Sequence, residues 1–252
     1  MQAEKVTVVI PTADRPETLP RAVASVLAQT VRPARVLVAD NGVDTAVLEP
    51  SWADSVDRVS VGRRVGAARA RNIGAGHART EWIAFLDDDD YWLPDYLERM
   101  LDRLAVTADA DAVVGRLMRA PDEAEGGAVE TYKCLAENPA AMRAVYYRNP
   151  GFGGTNLLIR RDRFLAAGGF AETMSSSEDR DLAARLLQQG ALIIVAADAR
   201  AVVCAHPGER AHHAQVRGNM QFLLRHWRAM CWHERLRASR TLLRRFLRGA
   251  PE

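Results

Sequence analysis

From Val6 to Ile10 every position is apolar or β-branched, and the run stops at Pro11. That pattern predicts a strand buried on both faces, and hence a parallel sheet. Between Glu17 and Gln29 the apolar positions Leu19, Val23, Val26 and Leu27 recur at helical spacing. Val36 to Ala39 then reads as a second buried strand, ending in Asp40, Asn41 and Gly42, so the chain opens strand, helix, strand. The stretch Val65 to Ala78, rich in alanine and arginine, predicts a helix. Trp82 to Leu86 predicts a third strand that runs directly into Asp87, Asp88, Asp89 and Asp90. In open α/β sheets ligands bind at the carboxyl ends of strands, so the place of these carboxylates matters as much as their charge.

Further along, Asp95 to Leu104 predicts a helix and Ala112 to Val114 a short strand. Residues 120–149 lose periodicity and begin with PDEAEGG after Ala120, which predicts a long loop with one short helix, a candidate lid. The segment GFGGTNLLIRR places a glycine turn before a strand at Asn156 to Arg160, and a helix from Asp162 to Ala167 closes at Gly168 and Gly169. Ser175 to Ser177 are expected to cap a helix from Asp179 to Gln189, followed by apolar strands at Leu192 to Val195 and Ala201 to Cys204. From Gln221 to Arg248 apolar residues interleave with arginines, predicting one or two amphipathic helices. Such a tail more commonly packs on its own domain or on a second subunit than on a membrane surface.

With 252 residues, 48% hydrophobic and 26% charged, the composition is that of one ordinary globular unit. Cys134, Cys204 and Cys231 are too widely spaced for a zinc site or a disulfide framework and fit a reducing compartment. The amino-terminal apolar stretch is too short for a signal peptide, and no later segment has membrane-spanning length. The expected location is the cytoplasm, with association at the inner membrane surface left open. The net charge of +2 hides an uneven distribution: acids gather at 87–90 and 178–181, and arginines gather in the tail. No GxGxxG follows the first strand, which argues against a dinucleotide oxidoreductase. IPTADRPETLP lacks the glycine-rich basic loop of a nucleotidyltransferase, and no base-stacking platform accompanies the arginines, so no nucleic-acid partner is expected.

The sharpest chemical feature is FLDDDDYWLPD. Aspartates crowded at a strand end offer hard oxygen ligands for Mn2+ or Mg2+, with open positions left for phosphate oxygens. The second acidic cluster, SSSEDRDL, sets Glu178 and Asp179 at a helix start, where carboxylates serve either as caps or as a general base.

Taken in order, VVIPTADR, VLVADNG, GAARARNIGAGHARTEWIAFLDDDD, GGTNLLIRRDRFLAAGGF and SSEDRDLAARLLQQG resemble family 2 glycosyltransferases of the GT-A fold over most of residues 5–206. The resemblance implies an α/β fold with a Rossmann-like, mostly parallel sheet flanked by helices. It implies a catalytic domain over 1–210, with a nucleotide-binding half at 1–117 and an acceptor-binding half at 118–210, and a helical extension over 211–252. It implies a metal-dependent, inverting, single-displacement transfer from a nucleoside diphosphate sugar to a hydroxyl acceptor: a metabolite, a glycan or a lipid-linked sugar. Donor contacts map to Pro11, Thr12, Arg15, Asp40, Arg71, Asn72, Asp87 and Asp88, with Asp89 coordinating the cation. His206 maps to a further metal contact, in competition with His212 and His213. Asp179 maps to the base with Glu178 as runner-up, and Gly153, Gly154 and Thr155 map to the acceptor side. Asp40 suits the ring N–H of uracil or thymine, which favours UDP or dTDP sugars. Processive synthases carry Q-x-x-R-W and membrane helices; QFLLRHW differs in spacing, so a non-processive enzyme is expected. A non-catalytic nucleotide-sugar or glycan-binding protein on the same fold is the alternative, and a homodimer or peripheral membrane contact through the tail stays open.

Overall fold

The computed structural model describes residues 5–120, 129–204 and 212–248. Among the described residues the strands are β1 (Val6–Thr12), β2 (Arg35–Asp40), β3 (Val56–Ser60), β4 (Trp82–Phe85), β5 (Tyr91–Trp92), β6 (Ala112–Arg119), β7 (Glu130–Lys133), β8 (Leu157–Arg160) and β9 (Ile193–Val203). The helices are α1 (Leu19–Leu27), α2 (Ala67–His77), α3 (Tyr96–Ala105), α4 (Pro139–Arg143), α5 (Arg161–Ala166), α6 (Glu178–Gln188), α7 (His212–His226) and α8 (Trp232–Arg248). One sheet runs in the order β3-β2-β1-β4-β8-β6-β9-β5, with β7 also paired to β6. It is parallel from β3 to β4; β8 lies antiparallel between β4 and β6, and β9 is again parallel to β6.

The two-residue period of the strands sorts side chains to two covered faces. Val9, Leu37, Ala39, Ile83 and Phe85 pack with α2 and with residues of α5 and α6, whereas Val8, Ile10, Val36, Val38 and Ala84 pack with α1 and α3. Every residue of β1 is buried, as a strand covered on both sides requires. Gly74 lets α2 approach that strand, since a Cβ there would sit 2.5 Å from a Val9 methyl carbon.

Several expectations change. β3 escapes the hydrophobic pattern because it is an edge strand in which only Val56 is buried. The two strands expected near 192–195 and 201–204 are one strand, β9, whose pairing with β6 shifts between Gly115 and Arg116. This bulge absorbs the polar interruption at Asp198, and Gly115 permits it, because a Cβ there would meet the Ala199 carbonyl oxygen at 3.0 Å. The region read as a long loop with one short helix holds that helix, α4, and adds the strand β7. Ser177 takes a left-handed φ of 69° before α6 and makes no side-chain cap hydrogen bond, so the expected serine cap is absent there.

α7 and α8 pack into the same core as α6: Phe222, Leu223, Met230 and Ala238 join Val145, Tyr146, Leu182 and Leu186. The Arg180 guanidinium lies 4.1 Å from the Phe222 ring centre and donates to Asn219 Oδ1 at 2.9 Å. Asp181, wholly buried, accepts from His226 Nε2 at 2.8 Å and Arg185 Nε at 2.7 Å, with Arg225 at 3.2 Å. Gln188 donates to His226 Nδ1 at 2.9 Å, which matches a ring carrying its proton on Nε2. Burial opposes the Asp181 charge, but the His226 and Arg185 hydrogen bonds and the nearby arginines outweigh it and hold the carboxyl below its usual 3.8. A lowered folded value means stabilisation that is complete above the usual value and lost as pH falls through the lowered one. Asp181→Asn is therefore expected to cost about 1–3 kcal/mol at pH 7. In urea titrations from neutral to acid pH the gap to the native protein should narrow below the usual aspartate range. A gap that stays constant into acid would refute this account.

Candidate active site

The register of the parallel strands assembles the site. Phe85 lies beside Val9 and Thr12 beside Asp40, so Asp87 and Asp88 emerge level with Pro11 and Thr12 at the carboxyl edge of the sheet. Past β1 the chain turns at Asp14, which has φ of 54° and accepts from the backbone N–H groups of Val43 at 2.7 Å and Asp44 at 3.0 Å. This tie joins the loops after β1 and β2. Gly42 has to be small, because a Cβ would fall 2.7 Å from the Asp14 carboxylate. Arg15, next in the chain, is thereby carried to Asp89, with which it forms an ion pair.

A cleft of about 200 Å3 opens at this edge, lined by Pro11, Thr12, Arg15, Arg71, Asp87, Asp88 and Asp89 among others. Its floor is a tight turn, closed by the Asp90 N–H donating to the Asp87 carbonyl at 3.1 Å. Carboxylate oxygens of Asp87, Asp89 and Asp90 lie within 4.8 Å of one another. Three hard, anionic donors that close fit Mn2+ or Mg2+. Asp88 turns instead to Thr12, whose hydroxyl donates at 2.7 Å. Burial, followed by the charges of Asp89 and Asp87, pushes Asp88 up to about 6 against the Thr12 hydrogen bond and Arg15. Burial and the same neighbours hold Asp90 well above the ordinary range, although the Cys204 N–H donates to it at 3.1 Å. Protons are thus drawn to these crowded carboxyls, and a bound cation would relieve the same repulsion.

Arg71 joins the two acidic clusters. From α2 it donates to Asp87 at 2.5 Å and reaches Glu178 at 3.6 Å, and its side chain is only 4% exposed. Burial disfavours its charge, but Asp87 and Glu178 more than compensate and raise its pKa. Its guanidinium carbon lies 5.2 Å from the Phe170 ring centre. Gly154 abuts the same guanidinium, since a Cβ there would come within 3.1 Å of it. Asn156, fully buried, fixes this glycine turn by accepting from Gly153 N–H at 2.9 Å and donating to the Gly151 carbonyl at 2.9 Å. The Thr155 carbonyl accepts from Trp92 Nε1 at 2.9 Å, tying the turn to the aspartate loop. At the start of α6, Asp179 accepts from Asn149 Nδ2 at 3.3 Å and from the Arg180 N–H at 2.7 Å.

The structure therefore gathers Pro11, Thr12, Arg15, Arg71, Asp87, Asp88 and Asp89 around one cleft, with Glu178 and Gly154 on Arg71. Asp40 stands at the β2 end with its oxygens turned to the Gly42 N–H at 3.1 Å and the Ala46 N–H at 2.9 Å. Asn72 faces away from the cleft: its amide exchanges hydrogen bonds of 2.8 and 2.9 Å with the Phe170 backbone and anchors α2 to the segment after α5. His206 lies outside the described residues, two positions past Cys204. Two members of the site escape sequence reasoning: Asp90 is legible only as part of the acidic run, and no local pattern marks Asn149.

The family model for glycosyl transferase family 2 matches residues 7–165. An uncharacterized glycosyltransferase of Haemophilus influenzae is 26% identical over 184 residues, covering 73% of this chain and 62% of that protein. The chain thus spans about three fifths of that relative's length. Among solved structures, S. aureus TarS 1-349 in complex with UDP-GlcNAc aligns with a TM-score of 0.62 at 15% identity, over 87% of this chain and 66% of that one. The mannosyltransferase PcManGT from Pyrobaculum calidifontis, in complex with GDP-Man and Mn2+, aligns with a TM-score of 0.63 at 19% identity, over 98% and 76%.

Proposed function

Because the chain belongs to glycosyl transferase family 2 and has the GT-A fold, we propose that it moves one sugar from a nucleoside diphosphate sugar to a hydroxyl acceptor, with inversion. The observation that carries this reading is Arg71, in contact with Asp87 on one side and Glu178 on the other, which brings the aspartate loop and the start of α6 to one site. Asp87, Asp89 and Asp90 are the groups that would hold Mn2+ or Mg2+. Such a cation, when bound, neutralises charge on the departing diphosphate. Arg15 and Arg71 add fixed positive charge at the cleft. Asp179 takes the acceptor's hydroxyl proton as that oxygen bonds to the anomeric carbon and the bond to the diphosphate breaks. Asn149 orients that carboxylate, and Glu178 holds Arg71. Residues of the first half, to about 117, would thus bind the donor, and those of 118–210 would face the acceptor.

Asp40 supports UDP or dTDP as the donor nucleotide. Each of its oxygens accepts a single backbone N–H and Arg58 lies 3.9 Å from Oδ2, which leaves a lone pair on Oδ1 for the ring N–H of uracil or thymine. Calorimetry with UDP, dTDP and GDP, each with and without Mn2+, tests the reading. One uridine or thymidine nucleotide should bind at least about tenfold tighter with the metal, a difference of about 1.4 kcal/mol. If no nucleotide binds under either condition, the transferase reading falls. Binding without nucleoside diphosphate release to any acceptor would mark a binding protein instead.

A further inference from the structure

α8 has two faces, and among the described residues only one is packed. Glu234 and Ala238 are buried, and Glu234 accepts two hydrogen bonds from Arg143, at 2.8 and 2.7 Å. On the other side Trp232, Leu236, Leu243 and Phe246 are 75%, 43%, 57% and 64% exposed. At 100° per residue these four fall within an arc of about 80°, a continuous apolar stripe along the helix. Arg240 and Arg244 edge it on one side and Arg235 on the other. Met220 and Leu224 on α7 and Trp227 just past its end are exposed at i, i+4 and i+7, and the Arg235 guanidinium lies 5.0 Å from the Trp227 ring centre, so this second stripe adjoins the first. No helix among the described residues is long and apolar enough to cross a membrane.

We propose that this face of α8, with the end of α7, docks on the surface of an anionic lipid bilayer. The charge pattern selects that occupant. Six arginines lie between Arg235 and Arg248, and no acidic residue follows Glu234 within α8. A two-fold dimer through the stripe would set the same arginines against one another with no acid to pair with them. Anionic headgroups supply the missing countercharge, while tryptophan, leucine and phenylalanine enter the headgroup boundary. Each arginine near such a surface strengthens binding about fivefold. The inner face of α8 also grips the segment leading to the site: Arg237 donates to the Tyr147 hydroxyl at 3.3 Å, two residues before Asn149.

Co-sedimentation of the full chain with vesicles of phosphatidylcholine alone, and of phosphatidylcholine with phosphatidylglycerol, tests it. The anionic vesicles should bind at least about tenfold more tightly, with the advantage shrinking at high salt. Leu243→Ser with Phe246→Ser, and separately Arg240→Glu with Arg244→Glu, should each weaken that binding at least about tenfold. All four positions are exposed, so thermal unfolding and nucleotide binding should match the native protein. Equal binding to neutral vesicles, no binding to anionic ones, or variants that bind like the native chain would overturn the proposal. A dimer in sedimentation velocity that the serine variant dissolves, with vesicles unbound, would assign the stripe to a second copy.

Discussion

Asp89→Ala is expected to abolish the metal dependence of donor binding and to lower turnover at least about a thousandfold, since cation assistance is worth several kcal/mol and each 1.36 kcal/mol is a factor of ten. Among the described residues the cation candidates at this edge are Asp87, Asp89 and Asp90, so this change removes one of three oxygen donors. It also removes the closer of the two ion-pair partners of Arg15, leaving Asp88 at 3.8 Å. The fold should survive: Asp89 is in a surface turn, and the packing around it rests on Thr12 to Asp88 and on Trp92. Titrations of nucleotide into the variant with and without Mn2+ should superimpose. Asp88→Asn is the informative contrast, because an amide oxygen still accepts from Thr12 and Asp88 stands outside the close trio. Its loss should stay within about tenfold. If Asp88→Asn proves the more damaging change, the cation sits on a different set of the four aspartates, one that includes Asp88.

The sequence pattern places the aspartate run correctly because a buried strand with no polar interruption, Trp82 to Phe85, has to deliver the residues beyond its end to the sheet edge. Which aspartates converge is a matter of the turn's dihedrals. Asp87 and Asp90 close that turn, which brings Asp90 to the end of β9, where Cys204 meets it, and turns Asp88 under Thr12. Neither strand lies near the other in sequence, so spacing alone could not assign them. Arg71 and Asn72 illustrate the same limit: neighbours on one helix take different polar partners, Arg71 the Asp87 carboxylate and Asn72 the Phe170 backbone. The tail shows a further limit. Its arginines and apolar residues predict amphipathic helices that pack on the domain or on a second subunit, but do not say against what. α7 buries Phe222 and His226 against α6, and Gly218 packs so closely that a Cβ would lie 2.6 Å from the Ser176 carbonyl oxygen. Amphipathicity reveals that a helix has a face to bury, and tertiary contacts alone reveal the partner.

Asp179→Asn is expected to reduce kcat about 10²- to 10⁴-fold while leaving nucleotide affinity within about a factor of two, as loss of a general base removes help given in the transition state and little ground-state binding. Asparagine keeps the shape and, with its one amide oxygen on the Arg180 N–H, gives up only the Asn149 contact made by the other carboxylate oxygen, so α6 should start where it does now. Glu178→Gln separates the two carboxylates. Glu178 faces Arg71, which also serves Asp87, so its neutralisation removes one of two countercharges from a buried guanidinium. The consequence should appear first in donor affinity, with a kcat effect nearer tenfold, about 1.4 kcal/mol. The pH profiles divide the roles further. A base must be ionised to work, so the native kcat/KM should fall on the acid side, and Asp179→Asn should lose that limb while Glu178→Gln keeps it. The opposite result, a near-silent Asp179→Asn and a Glu178→Gln that loses the limb, would move the base by one residue. It would also recast Arg71 as the group that positions the base, so that one side chain touches both the aspartate loop and the proton acceptor.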